Sequence, residues 1–199
     1  MTRSKLDNYY HKAKKEGYAA RSIYKLEEID RRYHILKSGM KVVDLGCHPG
    51  SWMQYVSRKV GPKGLVIGVD IQPLAVAQSA NTRFIQTDLF DLKAEDFRKY
   101  AESFDLILSD AAPRTTGVHH ADVDKSVAMA EKAFDLAQEL LKPGGALVTK
   151  VFFGAGTDEL IRRVKVAFKL GKAHKPSASK AKSKEIYLLG VGLKQPFKP

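Results

Sequence analysis

The sequence predicts an α/β domain, a largely parallel seven-stranded sheet with helices on both faces. Three observations carry that expectation. Short runs of Val, Ile and Leu alternate with stretches of helical periodicity along most of the 199 residues, and such alternation demands crossover connections. Four of the runs end on an acid, Asp44, Asp70, Asp88 and Asp110, and strand ends of an open parallel sheet point at one crevice. Finally, Val42–Trp52 reads Val-Val-Asp-Leu-Gly-Cys-His-Pro-Gly-Ser-Trp. That is a strand, a tight turn through Gly46 and Gly50, and a helix start, which together bring backbone amides up to a small ligand.

The elements follow in order. Gly17–His34 predicts a helix, with Ala20, Ile23, Leu26, Ile29 and Tyr33 at three- and four-residue spacing. Lys41–Leu45 is the first strand, and Pro49–Val60 a helix with proline well placed at its start. After the Gly61–Gly64 turn come a second strand, Leu65–Val69, a short helix, Pro73–Ser79, and a third strand, Arg83–Thr87. Ala94–Tyr100 reads as another short helix. Phe104–Ser109 alternates too little for a half-exposed strand and suits a buried parallel one. Asp122–Leu141 is the longest helical pattern, with Val123, Val127, Ala130, Phe134, Ala137 and Leu141 along its inner face, and Lys142-Pro143-Gly144-Gly145 ends it. Ala146–Phe152 is the fifth strand. Thr157 or Asp158 can cap a helix to about Phe168. The last two strands are expected near Lys169–His174 and at Glu185–Gly192.

Composition narrows the class. The length suits one domain with a substantial core, and no apolar run approaches the roughly 20 residues that span a bilayer. The polar N-terminus has no apolar signal core, and a single cysteine, Cys47, fits a reducing compartment; a cytoplasmic monomer is expected. The net charge of +12 is concentrated: residues 1–25 carry +5 and residues 169–184 carry +6, while 26–168 is neutral. Brought together, the two segments would make one face for a polyanion; left apart, they are solvated tails. Residues 1–17 are expected to be a basic, mobile segment before a single domain over 18–199, and 175–184 a mobile loop.

In the crevice, Gly46 and Gly50 let the backbone approach a ligand and leave helix N-terminal amides for a negative group. A dinucleotide site normally has a third glycine for its pyrophosphate. Here it is missing, and Pro49 and Trp52 crowd the turn. A nicotinamide oxidoreductase is therefore a weaker reading than a cofactor with a carboxylate tail and no phosphate, a description that S-adenosylmethionine fits. Asp70 is placed for ribose hydroxyls, Asp88 for an exocyclic adenine amine, and Asp110 for the reactive end. Each aspartate could instead cap a helix. His48 has no Cys/His cluster with ligand spacing around it, so no metal site is expected.

Several segments together resemble the FtsJ/RrmJ family of S-adenosylmethionine-dependent ribosomal RNA ribose 2′-O-methyltransferases. They are Ala20-Arg21-Ser22-Ile23-Tyr24-Lys25-Leu26, Asp44–Trp52, Ser109-Asp110-Ala111-Ala112-Pro113, Lys150-Val151-Phe152 and Ser183-Lys184-Glu185-Ile186-Tyr187. Their joint order and spacing, over roughly residues 9–192, make the likeness specific. The resemblance implies a Rossmann-like methyltransferase fold and a catalytic Lys-Asp-Lys-Glu tetrad at Lys25, Asp110, Lys150 and Glu185. It also implies cofactor contacts at Gly50, Trp52, Asp70, Asp88 and Asp110, with Gly46 in the same turn. His48 stands where a small residue or proline is usual, and Ser51 where glycine is frequent; neither touches the tetrad. A ribose hydroxyl is a poor acid, so Lys150 is the expected base or orienting group. The implied partner is RNA, a uridine ribose in large-subunit ribosomal RNA. Transfer RNA methylation is the alternative within the family, and a non-catalytic RNA-binding assembly factor the alternative outside it. Tyr9, Tyr10, His11, Lys12, Lys14, Lys15 and Arg21, basic residues interleaved with aromatics, suit phosphate attraction and base stacking.

Overall fold

The computed structural model describes residues 3–180 and 183–195. Seven strands form one sheet: β1 (Lys41–Leu45), β2 (Leu65–Asp70), β3 (Thr82–Gln86), β4 (Phe104–Ser109), β5 (Leu141–Phe152), β6 (Phe168–His174) and β7 (Glu185–Leu193). Their spatial order is β3-β2-β1-β4-β5-β7-β6. The first five are parallel, and β7 runs antiparallel to both its neighbours, β5 and β6. This agrees with the expected architecture, as do the strand positions to within a residue or two over most of the sheet.

Because successive strand residues point to opposite faces, each strand feeds two cores. Val42, Val66, Leu106, Leu108, Val148, Tyr187 and Leu189 face one side. There they meet the helices α1 (Arg3–Lys15), α2 (Ile23–Tyr33) and α3 (Ser51–Val60), through Ala13, Leu26, Ile29, Trp52 and Val56. Val43, Leu45, Ile67, Ile107, Leu147 and Val151 face the other. There they bury α4 (Glu95–Arg98), α5 (His119–Leu140) and α6 (Thr157–Ala167). All six positions expected on the inner face of the long helix pattern are buried, although Leu141 opens β5. Among the described residues no helix is long and apolar enough to cross a membrane.

Three expected elements differ. Ahead of them, α1 has a buried Ala13, and its Tyr9 ring lies 5.1 Å from Tyr24. Pro73–Ser79 is not helical: the Ala75 amide donates to Pro49 O (3.1 Å), and the segment lies against the glycine turn. The Lys142–Gly145 breakers lie within β5, where the pairing jumps from Phe104↔Leu141 to Leu106↔Ala146. The first helix pattern is shorter than expected, since α2 starts only at Ile23. Pro176, Ala178 and Ser179, in the loop expected to be mobile, are buried. The ends of the domain expected over 18–199, and residues 181–182 of that loop, lie partly outside the described residues.

Candidate active site

Strand register gathers the charged groups. Lys150 on β5 pairs with Tyr187 on β7, and Phe152 with Glu185, so Lys150, Tyr187 and Glu185 share one face. Asp110 follows the end of β4, and Lys25 comes from the first turn of α2 on the same side of the sheet. Lys150 Nζ donates to the Asp110 main-chain oxygen (2.5 Å) and to Asp110 Oδ1 (2.8 Å). Lys25 Nζ pairs with Glu185 Oε1 at 2.7 Å, both side chains only 13% exposed. All four expected tetrad members thus meet as two interacting ion pairs.

The environment polarises them. Burial alone would raise the Asp110 carboxyl, but the charges of Lys150 and then Lys25 outweigh it and hold Asp110 below the usual carboxylate range. Burial likewise pushes on Glu185, and Lys25 overcomes it, again giving a lowered value. Both groups are anions at neutral pH.

Tyr187 is a site residue that the sequence reading quoted but gave no role. Its ring is fully buried, and its hydroxyl donates to Asp110 Oδ1 at 2.6 Å. Burial, then Asp110 and Glu185, raise its titration well above the ordinary phenol value, so it remains a donor. Lys25 Nζ lies 5.7 Å from its ring centroid. The signal was present: a residue two positions after Glu185 on a strand must face the same way.

Beside this cluster lies an open crevice of about 270 Å³, lined among others by Gly46, His48, Asp70, Asp88, Asp110 and Arg114. The residues fit a nucleoside. Asp70 already accepts from His48 N (2.9 Å) and Gln72 N (2.8 Å), and a carboxylate has about four acceptor sites, leaving capacity for sugar hydroxyls. Asp88 Oδ1 caps a 3₁₀ turn, Leu89–Asp91, by accepting from Phe90 N (2.9 Å), and its other oxygen has no such task. Capping and ligand binding are therefore compatible at both aspartates. Asp88→Asn keeps the cap and exchanges the remaining acceptor, and it is expected to weaken adenosyl-cofactor binding about 10- to 100-fold. Calorimetry checks this, and unchanged affinity would remove Asp88 from the site.

Gly50 and Trp52 do not line the crevice wall. Gly50 precedes α3 at φ +115, and Val76 occupies the space a side chain would need. The Trp52 indole is buried and donates to Ser22 O (3.0 Å). What remains there for a ligand is backbone: α3 begins with Gln54 N donating to Gly50 O, so the preceding amides lack intrahelical partners. His48 Nδ1 lies 2.9 Å from Pro73 O, in a turn that holds a cis His48–Pro49 bond. Among the described residues no cluster of His, Cys, Asp or Glu is placed to hold a metal.

Asp44, the fourth strand-end acid, is fully buried with neither carboxyl oxygen hydrogen-bonded. Burial first, then the charges of Asp110 and Asp70, raise its titration well above the ordinary value. Its contribution to stability is fullest below the unfolded value of about 3.9 and declines as pH rises toward the raised folded value. Asp44→Asn removes that titration. Its melting temperature, relative to the unsubstituted protein, is expected to improve as pH rises above the unfolded value of about 3.9. A pH-independent difference in thermal melts would contradict the assignment.

The chain is similar to known methyltransferases. A family model described as FtsJ-like methyltransferase matches residues 18–193. The chain is 46% identical over 184 residues to a ribosomal RNA large subunit methyltransferase E of Desulfatibacillum aliphaticivorans, covering 92% of this chain and 89% of that one. It is 43% identical over 197 residues to the protein of the same name from Bdellovibrio bacteriovorus, covering 98% and 100%. A solved structure described as a ribosomal RNA methyltransferase of Plasmodium falciparum superposes with a TM-score of 0.77 at 28% identity, covering 89% of this chain and all of that one.

Proposed function

The chain belongs to the FtsJ-like methyltransferase family, and from that premise we propose that it methylates a ribose 2′-hydroxyl, that of a uridine, in large-subunit ribosomal RNA, using S-adenosylmethionine. One observation carries the reading: the two lysine–carboxylate pairs meet beside a crevice furnished for a nucleoside.

S-adenosylmethionine supplies a methyl group already activated on a sulfonium sulfur. Asp70 and Asp88 would hold its sugar and base, and the amides at the start of α3, with the Gly46 turn, would receive its carboxylate. What remains for the protein is alignment and proton removal. Lys150 Nζ, held by two contacts to Asp110, orients the ribose hydroxyl. In its amine form it would take the proton of that hydroxyl, while the cofactor would supply the methyl group by breaking its methyl–sulfur bond to leave a neutral thioether. Tyr187 and Asp110 fix the direction of that nitrogen, and the Lys25–Glu185 pair flanks the sugar. All four charged groups come from one chain, which is compatible with action as a monomer, and a ribosomal acceptor is consistent with a reaction in the cytoplasm.

Incubation with methyl-labelled S-adenosylmethionine and separated ribosomal subunits, free ribosomal RNA and transfer RNA tests this. Label is expected in large-subunit RNA, in a dinucleotide resistant to alkali because its 2′-oxygen is blocked. Label in transfer RNA alone would redirect the reading, and binding without transfer would make the protein an assembly factor.

A further inference from the structure

Helix α2 touches the C-terminal part of the chain at two places one turn apart. Lys25 takes Glu185, the first residue of β7. Glu28, three residues on and therefore on the same helix face, takes the end of β6 and the loop that follows. Its Oε1 accepts from His174 Nε2 (3.1 Å), and its Oε2 accepts from the Ser177 amide (2.8 Å) and the Ser177 hydroxyl (2.5 Å). His174 also stands edge-on to Tyr33 of α2, at 5.7 Å between ring centroids.

The row of the sheet that Glu28 reaches is the row of the reaction. His174 pairs with Tyr187, and Tyr187 with Lys150. The lysine-rich stretch between His174 and Glu185 therefore has both ends fastened to α2, one by Glu28 and one by Lys25. Across its neck, Lys175 Nζ donates to Ser183 O (2.7 Å). Like charges favour a solvated tail, yet the start of this stretch is fastened to the helix that carries Lys25 through His174 and Ser177.

We propose that Glu28 is a positioning residue: by holding His174 and Ser177 it ties the end of β6 and the start of the following loop to α2, and so sets Lys25 and Glu185 against the acceptor sugar. This rests on the RNA methylation reading above. Glu28 touches neither the crevice nor Asp110 and acts only through the loop and the helix.

The full-length protein is tested as Glu28→Ala and Glu28→Gln, with Ser177→Ala as a variant that leaves α2 untouched. Three quantities are measured at a temperature where all remain folded: methyl transfer to large-subunit RNA, affinity for S-adenosylmethionine, and the rate of cleavage by a lysine-specific protease between Lys175 and Lys184. Losing charge-assisted hydrogen bonds predicts that Glu28→Ala lowers kcat/KM for RNA about 10-fold or more and speeds loop cleavage by a similar factor, with cofactor affinity within about twofold. Glu28→Gln, whose amide oxygen still accepts from Ser177, is expected to recover most of both, and Ser177→Ala to show a smaller change of the same sign. Unchanged cleavage in Glu28→Ala would refute the tether, and an opened loop with unchanged kcat and KM would refute positioning. A parallel loss of cofactor affinity would reduce Glu28 to general stability and overturn the proposal. If the unsubstituted protein methylates no RNA, the functional reading fails instead, and the proteolysis comparison still decides whether Glu28 holds the loop.

Discussion

Lys150→Ala is expected to lower kcat for methyl transfer by about 10²- to 10⁴-fold, the range associated with a positioned proton acceptor, while the cofactor affinity stays within about twofold. The separation follows from geometry. Lys150 contacts Asp110 and shares the face of Tyr187 and Glu185, whereas Asp70 and Asp88, proposed to hold the nucleoside, line the crevice beyond it. Removing the ammonium also strips Asp110 of the charge that most strongly counters burial, so its carboxyl titrates higher in the variant. Lys150→Arg keeps the charge but presents a larger, planar group that stays protonated; it is expected to preserve folding and remain nearly inactive. Single-turnover assays with bound cofactor check both variants. Normal turnover in either would remove Lys150 from its role.

Gly46→Ala is the second substitution with a large expected effect, and here two costs add. Gly46 has φ +73, and a Cβ there would stand 2.5 Å from Ala111 Cα and 2.6 Å from Ala111 N. The obstacle is backbone and cannot rotate aside. Left-handed backbone for a non-glycine residue costs about 1–3 kcal/mol, and overpacking a further 1–3 kcal/mol. Ala111 directly follows Asp110, so any retreat shifts a carboxylate shared by the crevice and the Lys150 pair. Loss of at least about 2 kcal/mol of stability and about 10-fold or more in cofactor affinity is expected. Denaturant unfolding and calorimetry measure them, and unaltered affinity would mean the β4 end yields freely.

Most of the sheet was legible because strands are apolar runs with punctuated ends: Val42–Leu45 stops at a glycine turn and Phe104–Ser109 at Asp110. The tetrad was legible only through resemblance, since Lys25 and Glu185 lie 160 positions apart and no periodicity joins them. Where the sequence misled, a tertiary contact prevailed. Pro73–Ser79 has enough apolar residues for a helix turn, but its amide at Ala75 is taken by Pro49 O. Helix α1 looked like a charged tail, because Ala13 and Tyr9 are too sparse an apolar face to register without the core they meet. The inward indole of Trp52, which donates to Ser22 O, was likewise not legible from its position in the motif. Asp44 was counted among the strand-end acids without anything to reveal that its carboxyl has no partner.

The antiparallel β7 has an implication for how the molecule is assembled during synthesis. The walls of the crevice lie within residues 46–129 and emerge from the ribosome early, whereas Tyr187 and Glu185 come out on a later strand. Until that strand inserts between β5 and β6, β5 is an open hydrophobic border, a template for wrong pairing. Its insertion seals that border and delivers the last two polar groups in one step, so maturation and competence coincide.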